Sequence, residues 1–271
     1  MLIMRKQTAL LFLFLIGFTL HSRAQIWPGI KTDTKDFLNT GSDFYGSIFS
    51  ARKLTYKNAA LLGLGVFGVS LLDKTMRTFA QEHQNTVGNS LFSIDDYYGD
   101  KWYTAGGIVV LYSAGLLSGN KNLRETGLLT AEAWFYTGLL TVIVKELFGR
   151  SRPYTNSGTY DFYPFRFTES KRSFFSGHSS TVMAVSTVMS SRSANFLWKT
   201  AWYSAALLTS TARIYHDQHW LSDVAAGALI GYFAGRFIVR KAQNRGGNKI
   251  QLSSRYSAAG RQMFGITILL N

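Results

Sequence analysis

Three short stretches of this chain gather side chains that together can handle a phosphate ester. Lys145 is followed by six residues and then Arg152-Pro153; Ser176-Gly177-His178 comes next; Arg213 stands six before His219, and His219 stands four before Asp223. A phosphomonoester carries close to two negative charges at neutral pH, so cations must offset its repulsion of an incoming nucleophile. Arg152 and Arg213 can each donate planar, bidentate hydrogen bonds to phosphate oxygens, and Lys145 acts as a compact point charge. His219 and Asp223 share one face if Trp220 to Val239 begins as a helix. The carboxylate then holds one imidazole N–H and leaves the other ring nitrogen to attack phosphorus. His178 is left to protonate the departing alkoxide and later to take a proton from water. With this many cations, the chemistry requires no metal or cofactor.

Taken singly, each of these residues has an ordinary explanation. A basic residue at a helix end is usually a solvated charge or a dipole partner, and a His four before an Asp is usually a structural hydrogen bond. The ordered triplet changes that reading. It resembles the type 2 phosphatidic acid phosphatase superfamily, which also contains bacterial class A acid phosphatases and vanadium haloperoxidases. The resemblance runs over roughly residues 100 to 240. It implies a helical fold, with His219 as nucleophile, Asp223 as its partner, His178 as the acid, and Lys145, Arg152, Ser176, Gly177 and Arg213 as the phosphate cradle. Two positions depart from the usual family pattern: Phe175 stands where proline is common, and Ala212 where serine is common. Neither removes a charge or a proton carrier.

The elements that must position these groups are legible as apolar runs at about Asn58–Leu72, Trp102–Leu117, Leu128–Val144, Ser179–Met189, Phe196–Thr211 and Val224–Val239. They predict an all-α bundle of about six core helices. Alternation from Lys249 to Leu270 around Ala259-Gly260 predicts a short C-terminal β-hairpin. Ser176 and Gly177 precede the fourth run, so their backbone N–H groups are expected at a helix N-terminus, where anions bind. The remaining polar residues take plainer readings. Asp95-Asp96 reads as a solvated turn, Glu132 as a buried or pore-facing contact, and Arg150 and Lys171-Arg172 as a basic rim. His216 and His219 are also a metal-like pair, but no further His or Cys lies near enough in sequence to complete a ligand set.

Composition bounds the rest. The 271 residues carry a net charge of +14 and no cysteine, which excludes disulfides and thiol catalysis. The charge lies in the phosphate motifs and the stretch from Arg236 to Arg261, which fits an anionic membrane or a phosphate substrate better than nucleic acid. Residues 1–24 have the basic, apolar and small-residue parts of a secretory signal, ending at Ser22-Arg23-Ala24. The expected organisation is a signal peptide (1–24), a lead-in (25–57), a helical phosphatase domain (58–242) and a basic tail (243–271). Several apolar runs fall short of the ~20 residues that span a bilayer. With a cleaved signal, three full crossings would put the motifs in the cytoplasm, whereas a basic cytoplasmic tail would put them outside. The reading is a membrane-associated bundle with its site facing the periplasm, acting on phosphorylated lipids. A soluble periplasmic acid phosphatase, a vanadate-dependent haloperoxidase and a non-catalytic lipid-phosphate binder are the alternatives. Neither the substrate nor an oligomeric state is set by the sequence.

Overall fold

The computed structural model describes residues 27–48, 50, 56–245, 249–256 and 262–269, so the signal-peptide reading and the hairpin's turn lie outside the described residues. Nine α-helices are present among them. Helix α1 covers 27–48, and α2 (Tyr56–Ser70), α3 (Asp73–Glu82) and α4 (Thr86–Phe92) follow. A 3₁₀ turn, Ser93–Asp96, leads to α5 (Lys101–Leu117) and α6 (Lys121–Phe148). The bundle is completed by α7 (Gly177–Ser191), α8 (Phe196–Tyr215) and α9 (Leu221–Arg245). The expected hairpin is present as β1 (Lys249–Tyr256) and β2 (Gln262–Leu269), antiparallel with Lys249 opposite Leu269 and Tyr256 opposite Gln262.

Local sequence explains where the helices begin. Asn85, Asp100, Asn120, Ser176 and Asn195 each occupy an N-cap, and each side-chain oxygen accepts an N–H from the first turn. Asn120 starts α6 well before its apolar run, which makes that helix 28 residues long. Gly149 ends it in the left-handed conformation at φ 59°. A Cβ there would lie 1.7 Å from the Tyr163 carbonyl oxygen, so only glycine turns the chain at this point.

The centre of the bundle is α7, with ten of its 15 residues buried. It is crossed closely by α9, where Gly227, Gly231 and Gly235 face Ser180, Ala184 and Thr187. Serines and threonines bind the helices together through hydrogen bonds as well as packing. Thr141 and Ser180 meet at 2.9 Å, and Tyr98 meets Ser186 at 2.7 Å. Residues 25–57, read as a lead-in, contribute α1, whose Phe44 packs with Tyr136 and Ala234. Glu132 is a buried contact as expected. It accepts a hydrogen bond from Thr40 at 2.8 Å and lies 3.6 Å from Arg245, joining α1, α6 and α9.

The outer surface has the opposite polarity from that of a soluble bundle. Leu61, Leu64 and Phe67 on α2, Val109 and Val110 on α5, Val142 and Ile143 on α6, Leu207 on α8 and Phe233 on α9 are all exposed. Helices α6 and α9 are long and apolar enough to cross a membrane, with 50% and 56% of their apolar windows buried. Apolar residues therefore cover the faces that the core leaves free.

Candidate active site

All three motifs meet at the end of the bundle formed by the start of α7, the ends of α6 and α8 and the start of α9. Lys145 lies in the last turn of α6 and donates to the Arg172 carbonyl at 2.7 Å. A Cβ on Gly177 would sit 3.9 Å from its Cε, which places the first and second motifs side by side. After the Gly149 turn, Arg152 points inward. It donates to Gln218 at 2.5 Å and pairs with Glu169, while its Nε is buried with no partner among the described residues. Arg213, in the last turn of α8, pairs with Asp95 and likewise keeps a buried Nε without a partner. Its carbonyl accepts the N–H groups of both Gln218 and His219, at 3.0 and 3.1 Å. That tight loop is clamped from α3 by Arg77, which reaches both carboxylate oxygens of Asp217 at 2.7 Å.

The second motif sits at the N-terminus of α7, as expected, with one correction. The Ser176 N–H donates to the Asp223 carbonyl at 3.0 Å, and its Oγ accepts from Ser179. Gly177 and His178 are therefore the residues whose amides begin α7 at the site, not Ser176 and Gly177. The Ser176 side chain positions the helix start and is fully buried.

His219 precedes α9, and its side chain is only 1% exposed. Its Nδ1 is 3.7 Å from Asp223 Oδ2 and 3.4 Å from the Ser173 hydroxyl. The pair is brought together, but Ser173 stands between its members and donates to Asp223 Oδ2 at 2.5 Å. The same Oδ2 accepts the Trp220 N–H at 3.0 Å, so Asp223 also caps α9 from within its first turn. Burial holds the His219 imidazole well below the ordinary histidine range, reinforced by Lys145, Arg152, Arg213 and His178. A neutral ring carries the lone pair that nucleophilic attack requires. His178 is pushed down to about 3, first by burial and then by Arg213, Lys145 and Arg152. These shared causes show that the three cations and two histidines occupy one electrostatic neighbourhood.

Four residues have roles the sequence reading did not assign. Arg150 is not on the rim. It is 2% exposed and donates to Asp223 Oδ1 at 2.6 Å and to Asp73 Oδ2 at 2.8 Å. Asp73, the first residue of α3, is fully buried, and Ser173 was not singled out at all. Asp95 is not in a solvated turn; it is 2% exposed, pairs with Arg213 and lies 4.0 Å from His178. Burial raises its carboxyl above the usual range against the opposing pull of Arg213. Lys171 and Arg172 remain partly exposed, paired with Asp161 and Glu146, as a rim. His216 and His219, the pair weighed for a metal, face different carboxylates: His216 lies 3.8 Å from Asp95, and His219 faces Asp223.

Residues 127–246 match the model of the PAP2 superfamily. Over 98 residues, 35% of this chain, the sequence is 32% identical to the lipid A 1-phosphatases of Rhizobium johnstonii and Rhizobium etli. The chain spans about two fifths of the length of these relatives, 39% and 41%. Among solved structures, it resembles Aquifex aeolicus LpxE with a TM-score of 0.51 and 21% identity, covering 62% of this chain and 95% of that one. It also resembles the first transmembrane PAP2 type phosphatidylglycerolphosphate phosphatase from Bacillus subtilis, with a TM-score of 0.54 and 18% identity, covering 71% and 98%. Both structural likenesses establish the helical fold.

Proposed function

We propose, on the match of residues 127–246 to the PAP2 superfamily model, that the chain is a phosphatase of that type and hydrolyses phosphate monoesters or pyrophosphates of lipid-linked substrates through a phosphohistidine, without a metal. The observation that carries this reading is the buried His219–Asp223 pair, faced by Lys145, Arg152, Arg213 and His178. In the first step His219 Nε2 attacks phosphorus, and the bond to the ester oxygen breaks. His178 delivers its proton to that oxygen. In the second step His178 removes a proton from water as the water oxygen attacks phosphorus and the P–N bond breaks, releasing inorganic phosphate. Lys145, Arg152 and Arg213, with the start of α7, stabilise the charge that builds on the phosphoryl oxygens. Burial depresses His178 first and the three cations second; a phosphate dianion bound among those cations offsets their share, and its own charge favours the protonated imidazole. His178 therefore takes up the proton it later donates when substrate arrives.

Two further features support a lipid substrate. The exposed faces of α2, α5, α6, α8 and α9 are apolar. A groove of about 480 Å³, lined by residues such as Leu62, Phe67, Phe148, Leu229 and Phe233, reaches Arg150 and Ser222. In this reading residues 1–24 are a secretory signal, 25–57 a lead-in and 243–271 a basic tail, and the membrane-embedded domain (58–242) opens its site to the periplasm. The names of the relatives make lipid A 1-phosphate and phosphatidylglycerolphosphate the first substrates to try, followed by phosphatidic acid and undecaprenyl pyrophosphate. The test is phosphate release from this panel and from nitrophenyl phosphate by detergent-purified protein, with and without EDTA and vanadate. Turnover that resists chelation and is inhibited by vanadate, whose five-coordinate form resembles the transition state, is expected. Activity abolished by EDTA and restored by zinc or magnesium would overturn the metal-free mechanism. Phosphate binding without turnover on any ester would favour the binding-protein alternative.

A further inference from the structure

We propose that Asp73, on a helix outside the family-matched segment, is a positioning residue that sets the charge of the His219–Asp223 pair through Arg150. This inference rests on the phosphohistidine reading. Asp73 Oδ2 accepts from Arg150 Nη2 at 2.8 Å and from the Ser222 hydroxyl at 2.7 Å, and Oδ1 accepts the Ser222 N–H at 2.8 Å. Arg150 Nη1 reaches both Asp223 at 2.6 Å and Ser222 at 2.8 Å, and Thr159 O accepts from Nε and Nη2 at 2.9 and 2.7 Å. The side chains of Asp73 and Asp223 are 0% exposed and that of Arg150 is 3%. The two terminal nitrogens of this guanidinium are thus divided between two buried carboxylates, Nη1 on Asp223 and Nη2 on Asp73.

The arithmetic of charge gives this arrangement its consequence. A lone Arg150 would neutralise Asp223 and leave His219 among cations with no counter-charge. With Asp73 present, the Asp73–Arg150–Asp223 group carries a net charge of −1, the sum of −1, +1 and −1 for the pairs seen. That remaining negative charge lies beside the imidazole, which becomes cationic when phosphorus is bonded to it, and it opposes Lys145, Arg152 and Arg213. Buried groups feel one another strongly because little solvent screens them. Asp73 also holds Ser222 in the first turn of α9, one residue from Asp223, and so fixes the carboxylate in place.

Asp73→Asn keeps the shape and removes the charge. On a substrate that the parental protein turns over, kcat is expected to fall by about 100-fold, the scale of a misplaced catalytic constellation. KM should change less than about threefold, because the phosphate cradle is intact. The fraction of labelled phosphoenzyme that survives alkali but is lost in acid, the signature of a P–N bond, should fall in parallel. A double-mutant cycle separates this role from a purely structural one: in an Asp223→Asn background, where the carboxylate that Asp73 positions is gone and only its charge remains to be lost, Asp73→Asn should cost less than about tenfold in kcat. An equal loss in both backgrounds, or a kcat within twofold of the parent, would overturn the proposal. If Asp73→Asn does not fold, Asp73→Ser, which also removes the charge and keeps an oxygen to face Ser222, is read in the same cycle with the same two outcomes. Absence of turnover by the parental protein would instead reject the underlying phosphatase reading.

Discussion

His219 and His178 carry different steps of the proposed reaction, and substitutions at each should fail differently. Removing the nucleophile leaves the cationic cradle in place, so His219→Ala should lose more than roughly a thousandfold in turnover yet still bind phosphate. Alkaline-quench trapping should detect an acid-labile phosphoenzyme in the parent and none in the variant, and retention of a tenth of parental activity would remove His219 from this role. His178 acts on the leaving group. A nitrophenolate departs with little protonation, whereas a lipid alkoxide needs a proton in the transition state. His178→Ala should therefore damage turnover of a lipid phosphate more than turnover of nitrophenyl phosphate on the same preparation. Equal losses would reduce His178 to a phosphate contact. These two histidines were legible in the sequence because short ordered motifs concentrate the chemistry. Asp73 and Asp95 were not, since their partners Arg150 and Arg213 lie 77 and 118 positions away and no local pattern encodes the meeting.

At the level of elements, the apolar runs predicted six helices, and all six are present, but their ends were set by signals that hydropathy does not carry. Asn120 begins α6 ahead of the apolar stretch, and Gly149 stops it four residues beyond Lys145. Helix α1 escaped notice because its buried face is narrow, with Phe37 separated from Phe44 and Tyr45 by the exposed Asn39, Ser42 and Asp43. The position of the second motif depends on how closely α9 approaches α7. A Cβ on Gly231 would lie 2.1 Å from the Ser180 carbonyl oxygen and 3.1 Å from the Ala184 nitrogen, both rigid backbone atoms. Gly231→Ala must therefore push the two helices apart, at a cost of roughly 1–3 kcal/mol. Because the start of α7 carries Gly177 and His178 while that of α9 carries Asp223, the same displacement should lower kcat. Thermal unfolding in detergent and steady-state kinetics would check both effects. Gly106→Ala on α5, where nothing lies within 4 Å, is the matched control and should lower neither.

At the scale of the whole molecule, the site's charge and the apolar exterior each have a measurable consequence. The buried His219 stays neutral in the folded chain well below the ordinary histidine range. Above about pH 6.5 it is neutral in both folded and unfolded chains and contributes nothing to pH dependence; below that, only the unfolded chain gains the proton. Stability is therefore lost as the pH falls through 6.5, and Tm should drop between pH 7.5 and 5. His219→Ala should reduce that slope and leave the share due to His178, which is also depressed, and an unchanged slope would show that other groups set it. Orientation is tested by the chain's own composition. With no cysteine anywhere in the sequence, a single introduced thiol reports one place without background. Ser157 is exposed in the loop that follows Arg152, at the active-site end, and Ala194 is exposed beyond the far end of α7. Helix α7 alone, at 15 residues, separates the two ends by about 22 Å, while the longer α6 and α9 flank it. If the bundle is embedded with its site outward, Ser157→Cys should react with a membrane-impermeant maleimide on intact cells with permeabilised outer membranes, and Ala194→Cys only after the inner membrane is opened. The reverse pattern would place the site in the cytoplasm. Labelling of both would mean that the bundle does not span the membrane, and recovery of the protein in the soluble fraction would then favour the periplasmic acid phosphatase reading.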